Sequence, residues 1–189
     1  MRALMTATVP SMIGQFNMEN IKILKEIGYE VDVACNFHDN TVWSQEKIVR
    51  LKNDLESLNV KYYQIDFERS VFKFFKHIQS YNQIKYLMNN RHYDLIHTHT
   101  PISSLITRLA FKKSVIYNTC KMIYTAHGFH FFKGNSPIKN FIFKNIEKYA
   151  AKCTDTLITI NKEDYAAAQK FNLRQNEVGG QAVLGRQAL

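Results

Sequence analysis

Apolar positions fall in two rhythms along this chain, and the two alternate. Residues 2–8, RALMTAT, form a short apolar run of strand length. In residues 16–28, Met18, Ile21, Leu24 and Ile27 recur near helical spacing until Gly28 ends the run. Residues 29–35, YEVDVAC, alternate as a strand, with Val31 and Val33 on one face. Ser44 is placed to cap a helix whose stripe is Ile48, Leu51, Leu55 and Leu58. A third strand is predicted at 60–67, then a helix with Phe74, Ile78, Tyr81, Ile84 and Met88 on one face. The fourth strand, YDLIHTH at 93–99, stops at Pro101 and a helical stretch follows. The fifth strand is KMIYTAH at 121–127.

Ser136 at a cap and Pro137 at the first helical position announce the next helix. Its predicted core stripe is Ile138, Phe141, Ile142, Ile146 and Tyr149. A sixth strand falls at 154–160, and Asn161 caps a last helix. Strands that alternate with helices predict an α/β fold: a Rossmann-like, doubly wound parallel sheet with helices on both faces. Right-handed crossovers favour the strand order 3-2-1-4-5-6. The rhythm stops after about Asn172. Residues 172–189 carry three of the seven glycines and read as a linker or a non-native tail.

Charge changes this picture more than composition does. The chain has 189 residues, enough for one domain, and a net charge of +9. From Arg108 to Lys152 nine basic residues face Glu147 alone, nine minus one, or +8. That asymmetry predicts an anionic partner: a phosphate-bearing ligand, an anionic membrane or nucleic acid. No nucleic-acid motif accompanies it, so no nucleic acid is expected as partner. A solvated basic face is the ordinary alternative. Cys35, Cys120 and Cys153 are far apart and lack zinc-ligand spacing, which suits reduced thiols in a cytosolic protein. No apolar window reaches the length of a membrane span, and the first residues do not form a signal-peptide core. Cytoplasmic placement is expected, with at most peripheral contact at a membrane.

Ligands of such a sheet bind beyond the carboxyl ends of the strands, at the switch between strands 1 and 4. The loop VPSMIGQ after strand 1 brings Gly14 and Gln15 there, and Gly14 lets a ligand approach the backbone. No GxGxxG or GxxxxGK[ST] pattern is present, and a plain turn fits as well. His97 and His99 share one side of strand 4, as a packed pair rather than a zinc site. His127 ends strand 5, and Gly128 lets the chain turn away. A histidine there can donate to an anionic oxygen or a sugar hydroxyl, or be structural; His130 reads as structural. Gly14, His99 and His127 are expected to converge. The aromatics of FHFFK and Lys133 read as a cleft lip or a membrane-facing edge.

Four segments in this order, TATVPSMIGQFNMENIKILKEIGYEVDVACNF, YDLIHTHTPIS, YTAHGFHFFKG and DTLITINKEDY, resemble the N-terminal domain of family 4 glycosyltransferases. The bacterial enzymes of capsule and exopolysaccharide assembly are the nearest in kind, and the likeness runs over residues 1–171. It implies the N-terminal half of a GT-B fold, two Rossmann-like domains facing a cleft. The N-terminal domain mainly binds the acceptor, here a lipid-linked glycan. The C-terminal domain binds the nucleotide-sugar donor and supplies the glutamates of an E-x7-E motif. Retention of anomeric configuration is implied, with no metal and no other cofactor.

By this resemblance His127 is the catalytic candidate, beside the donor sugar and phosphate. Gly14, Gln15, His99, Gly128 and Lys133 are the substrate-binding candidates, His99 toward the acceptor. The family often has Gly-Gly where this chain has Ile13-Gly14. The chain has about half the length expected of such an enzyme and lacks the E-x7-E glutamates. The expectation is a truncated or frameshifted transferase, inactive alone. The alternative is a stand-alone Rossmann-like module that binds an anionic ligand or partner.

Overall fold

Most of the apolar runs become strands or helices near their expected places. The computed structural model describes residues 1–174 and the short strand at 183–184. The strands are β1 (Arg2–Thr6), β2 (Glu30–Cys35), β3 (Lys61–Gln64), β4 (Leu95–His99), β5 (Lys121–Ala126), β6 (Thr156–Thr159) and β7 (Val183–Leu184). The helices are α1 (Pro10–Phe16), α2 (Met18–Glu26), α3 (Gln45–Ser57), α4 (Phe74–Arg91), α5 (Pro101–Lys112), α6 (Pro137–Ala151) and α7 (Lys162–Ala168). The sheet runs β3-β2-β1-β4-β5-β6-β7, and every pair is parallel. The expected order of the first six strands is the observed one. The expected tail lies mostly outside the described residues; within it, Leu173 packs on the core and Arg174 forms an ion pair with Asp155 at 2.6 Å.

Alternate side chains of the strands feed different cores. Leu4, Ile96 and Met122 meet Ile84 and Met88 of α4 and Phe111 of α5. Ala3, Met5, Val31 and Val33 meet Ile13, Ile21, Ile48, Leu51 and Leu55 of α1, α2 and α3. Thus α1–α3 cover β1 and β2 on one face, and both strands are almost wholly buried. On β4, β5 and β6 that face is only half covered among the described residues. Leu95, His97, Ile123, Thr156 and Ile158 stay part-exposed, while Ile96, Met122 and Leu157 are sealed on the other face.

Four expectations are corrected. The loop after strand 1 is a helix: Val9 is extended, Pro10 opens α1, and buried Asn17 splits α1 from α2. Asn17 donates from its side chain to the Met12 carbonyl at 2.9 Å, a local bond that favours a break over one continuous helix. Of the three caps, only Asn161 accepts a backbone N–H, from Asp164 at 2.8 Å; Ser44 and Ser136 make no such bond. The stripe of α3 is buried as expected, but the first turns of α4 are not: Phe74 and Ile78 are exposed.

The stripe of α6 is reversed. Ile138, Phe141, Ile142 and Tyr149 face solvent, and Glu147, Ala150 and Ala151 face inward. The cause is Arg108 of α5, buried beneath α6. Its Nη2 donates to Glu147 Oε2 at 2.9 Å, and its guanidinium lies 4.2 Å from the Tyr124 ring centre. A buried arginine needs its counter-charge more than the helix needs its apolar side inward.

Candidate functional site at the carboxyl ends of β1, β4 and β5

The switch point carries a band of hydroxyls under a cluster of histidines. Thr6 donates to Thr98 Oγ1 at 2.7 Å across β1 and β4. One step further, Thr8 and Thr100 share a hydrogen bond of 2.7 Å, and Thr8 donates to Ser103 at 3.0 Å. Ser103 donates to the His99 carbonyl at 2.8 Å. These bonds fix the turn from β4 into α5. There Thr100 has φ +64°, a left-handed setting that a β-branched residue adopts only when its surroundings hold it.

His97 and His99 leave β4 on one side, with ring centres 4.2 Å apart. Thr125 and His127 leave the β5 end in the same way. His97 Nε2 shares a hydrogen bond of 2.8 Å with Thr125 Oγ1, and His99 Nδ1 shares one of 3.2 Å with His127 Nε2. Burial lowers the pKa of all three histidines. For His97 the value falls to about 4, with the His127 charge adding to burial. His99 lies well below the ordinary value, through burial first and then the charges of His97 and His127. At neutral pH the cluster is uncharged, so one proton lies between His99 and His127. Among the described residues His99 Nε2 is buried without a hydrogen-bond partner, whereas His127 is half-buried at the rim. A neutral imidazole there can give or take one hydrogen bond with an incoming oxygen.

The structure unites some expected residues and separates others. His99, His127 and Gly128 meet. Gly128 has φ +129°, and a Cβ there would touch none of the described residues within 4 Å, so conformation rather than space selects glycine. From α1 it is Phe16, not Gly14, that reaches the cluster, with ring centres 5.9 Å from His127. Gly14 sits under Trp43: a Cβ there would lie 2.2 Å from the indole Cη2. Gln15 is exposed. Lys133 is exposed too, and lines a groove between α6 and α7 with Phe141, Lys144 and Lys170. The lip reading of FHFFK is corrected for Phe129 and Phe131, which stack at 4.8 Å inside the core; Phe132 alone is outside. Among the described residues no group of three or more His, Cys, Asp or Glu is arranged to hold a metal ion. Thr8, Phe16, Thr100, Ser103 and Thr125 join the site unforeseen. The alternation in HTHT was the available signal for Thr98 and Thr100.

A family model described as "Glycosyl transferase 4-like" matches residues 15–161. The chain belongs to the glycosyl transferase 4-like family. It is 35% identical over 169 residues to "Putative glycosyltransferase EpsD" of Bacillus subtilis (strain 168), covering 89% of this chain and 40% of that one. It is 30% identical over 89 residues, 47% of this chain and 22% of the other, to the UDP-Gal:alpha-D-GlcNAc-diphosphoundecaprenol alpha-1,3-galactosyltransferase of Escherichia coli. The chain thus spans less than half the length of these relatives. Among solved structures, sucrose-phosphate synthase from Thermosynechococcus elongatus matches with TM-score 0.60 at 13% identity, over 97% of this chain and 47% of that one. The lipopolysaccharide outer core galactosyltransferase WaaB matches with TM-score 0.53 at 14% identity, over 89% and 42%. At such identities the likeness is one of fold. The fold of this family member is a Rossmann-like doubly wound sheet, as in the N-terminal half of a GT-B fold.

Proposed function

We propose that this chain is the acceptor-side half of a retaining glycosyltransferase that builds a polysaccharide. A sugar passes from a nucleotide-sugar donor to a lipid-linked glycan at the cytoplasmic face of a membrane. The observation that carries this reading is the neutral His99–His127 pair at the switch point of a family 4-like chain. His127, at the rim, contacts the donor sugar or its phosphate. His99 backs it, and Gly128 keeps the chain clear of the ligand. The names of the relatives support donor and acceptor classes of this kind. The donor domain is supplied by a second Rossmann-like unit of the family's kind, so residues 1–174 alone do not turn over. No resident cofactor is assigned.

Binding of UDP-sugars and of a polyprenyl-diphosphate-linked sugar to the full chain and to His127→Ala tests this. The expected result is measurable acceptor binding, weak donor binding lowered further by His127→Ala, and no turnover with or without a chelator. Sustained transfer by this chain would overturn the half-site assignment. Failure to bind either ligand would overturn the reading as a whole.

A further inference from the structure

The loop after β5 is fastened to two helices at once. Asn140 of α6 holds Phe132 with both ends of its amide: Oδ1 accepts the Phe132 N–H at 3.2 Å, and Nδ2 donates to the Phe132 carbonyl at 2.9 Å. From α7, Glu163 Oε1 accepts the Lys133 N–H at 2.6 Å, and Asp164 Oδ2 accepts the Phe129 N–H at 3.2 Å. Asn161 Nδ2 donates to that same Asp164 oxygen at 2.7 Å. The loop thus sets the spacing of α6 and α7, which lie side by side and hardly touch. Between them is a groove of about 520 Å³, within the size range of small-ligand sites.

The lining of the groove mixes apolar area with unpaired positive charge. Buried Phe131 and the small Ala166 and Ala167 meet two exposed rings, Phe132 and Phe141. Lys133, Lys144 and Lys170 stand around them, and Lys144 is half-buried. Among the described residues none of the three lysines has an ion-pair partner. The two acids of the groove, Glu163 and Asp164, are engaged with N–H donors of the loop and the α7 cap. Three lysines against two acids leave the lining at +1. No histidine of the switch-point cluster lines it. Tyr124 and Ala126 leave β5 toward α6 and α7, and Thr125 and His127 leave on the other side. The groove and the histidines therefore lie on opposite faces of the sheet.

An occupant of this groove offers a flat apolar body to the phenyl rings and negative charge to the lysines. A phosphate carries nearly two charges and three acceptor oxygens, which suits several lysines better than a single carboxylate does. A nucleobase is a poor fit. Its polar edge needs hydrogen-bond partners, and the Asn140 amide and both carboxylates are already engaged. We propose that the groove between α6 and α7 is a binding site for a small aryl phosphate, an aromatic body with no base edge. Its ring lies against Phe132 and Phe141, and its phosphate meets Lys133, Lys144 and Lys170. The site is independent of the transferase reading.

Isothermal titration calorimetry of the full chain with 1-naphthyl phosphate tests this. Saturable one-to-one binding is expected, weaker as salt rises. Inorganic phosphate, which lacks the ring, and UMP, whose base edge finds no partner, are expected to bind at least about tenfold more weakly. Ala166→Phe fills the groove without changing its charge, and Lys133→Gln/Lys144→Gln/Lys170→Gln removes the charge without filling it. Each is expected to lower affinity at least about tenfold. His127→Ala is expected to bind as the unaltered chain does. Circular dichroism melting is the control for folding, and the altered side chains are exposed or half-buried. Absence of saturable binding overturns the proposal. So does full binding by either groove variant, or UMP binding as tight as that of 1-naphthyl phosphate. Loss of binding in His127→Ala would move the ligand to the histidines and overturn it as well. Binding of 1-naphthyl phosphate without any binding of nucleotide sugar or acceptor would leave the groove site standing and remove the transferase reading.

Discussion

Replacing Glu147 by alanine removes the counter-charge of an arginine that has no route to water. Arg108 is 1% exposed, and Glu147 provides the 2.9 Å contact across the α5–α6 interface. The Ser104 carbonyl, 3.1 Å from Nε, and the Tyr124 ring remain, but neither carries a full negative charge. Removing one partner of a buried pair costs about 3–5 kcal/mol, mostly the penalty of the charge left behind. Glu147→Gln keeps a hydrogen-bond acceptor and is expected to cost about half as much. With a urea slope of about 2 kcal/mol per molar, the unfolding midpoint of Glu147→Ala falls by roughly 2 M. The assay is urea unfolding of the full chain, followed by far-UV circular dichroism at neutral pH. The double variant Arg108→Met/Glu147→Leu is expected to recover most of the loss, because an apolar pair of similar volume carries no desolvation cost. A loss below about 1 kcal/mol in Glu147→Ala would refute the reasoning, since a shift that small is typical of a solvated surface pair.

Acid should destabilise the fold through the histidines. Their folded pKa values lie below the unfolded value of about 6.5, so the unfolded chain binds more protons there. Their contribution is intact above about 6.5 and declines as pH falls; for His97, with a folded value of about 4, the loss by pH 4 approaches about 3 kcal/mol, readable from urea midpoints across that window. Gly14→Ala should displace the indole of Trp43, the single tryptophan, giving a red-shifted emission and a loss of about 1–3 kcal/mol; unchanged fluorescence would contradict the contact. Asn161→Ala should cost about 1 kcal/mol, whereas Ser44→Ala and Ser136→Ala should cost almost nothing, since only Asn161 makes a cap bond. Equal thermal shifts in all three would count against that distinction.

The strand order, and with it the place of the candidate site, was legible because buried parallel strands read as short apolar runs and the crossover rule leaves few arrangements. His99 and His127 could be brought together for the same reason, from their positions at two strand ends. Gly14 could not be placed. Its neighbour, Trp43, comes from a distant loop, and no local pattern announces that contact. The orientation of α6 was hidden for a related reason. Its apolar periodicity points one way, and the pairing of Glu147 with Arg108, thirty-nine residues earlier, turns it the other. The aromatics around Phe74 show the limit of the periodicity rule itself: helical spacing locates a stripe but does not say that this protein's own core covers it.

The half-covered face of β4–β6 ties the histidines to whatever comes to lie over it. His97 stands on that face, part-exposed, directly beside His99. Burial is what holds these imidazoles neutral, so further covering drives their pKa values lower still. Docking on that flank is therefore proton-linked where the free cluster still carries protons, which for His97 is near and below about pH 4; there docking expels protons, and acid weakens it. In calorimetry the signature is a binding heat that changes with the ionisation enthalpy of the buffer. The cluster would then report on a neighbour it never touches through a reaction.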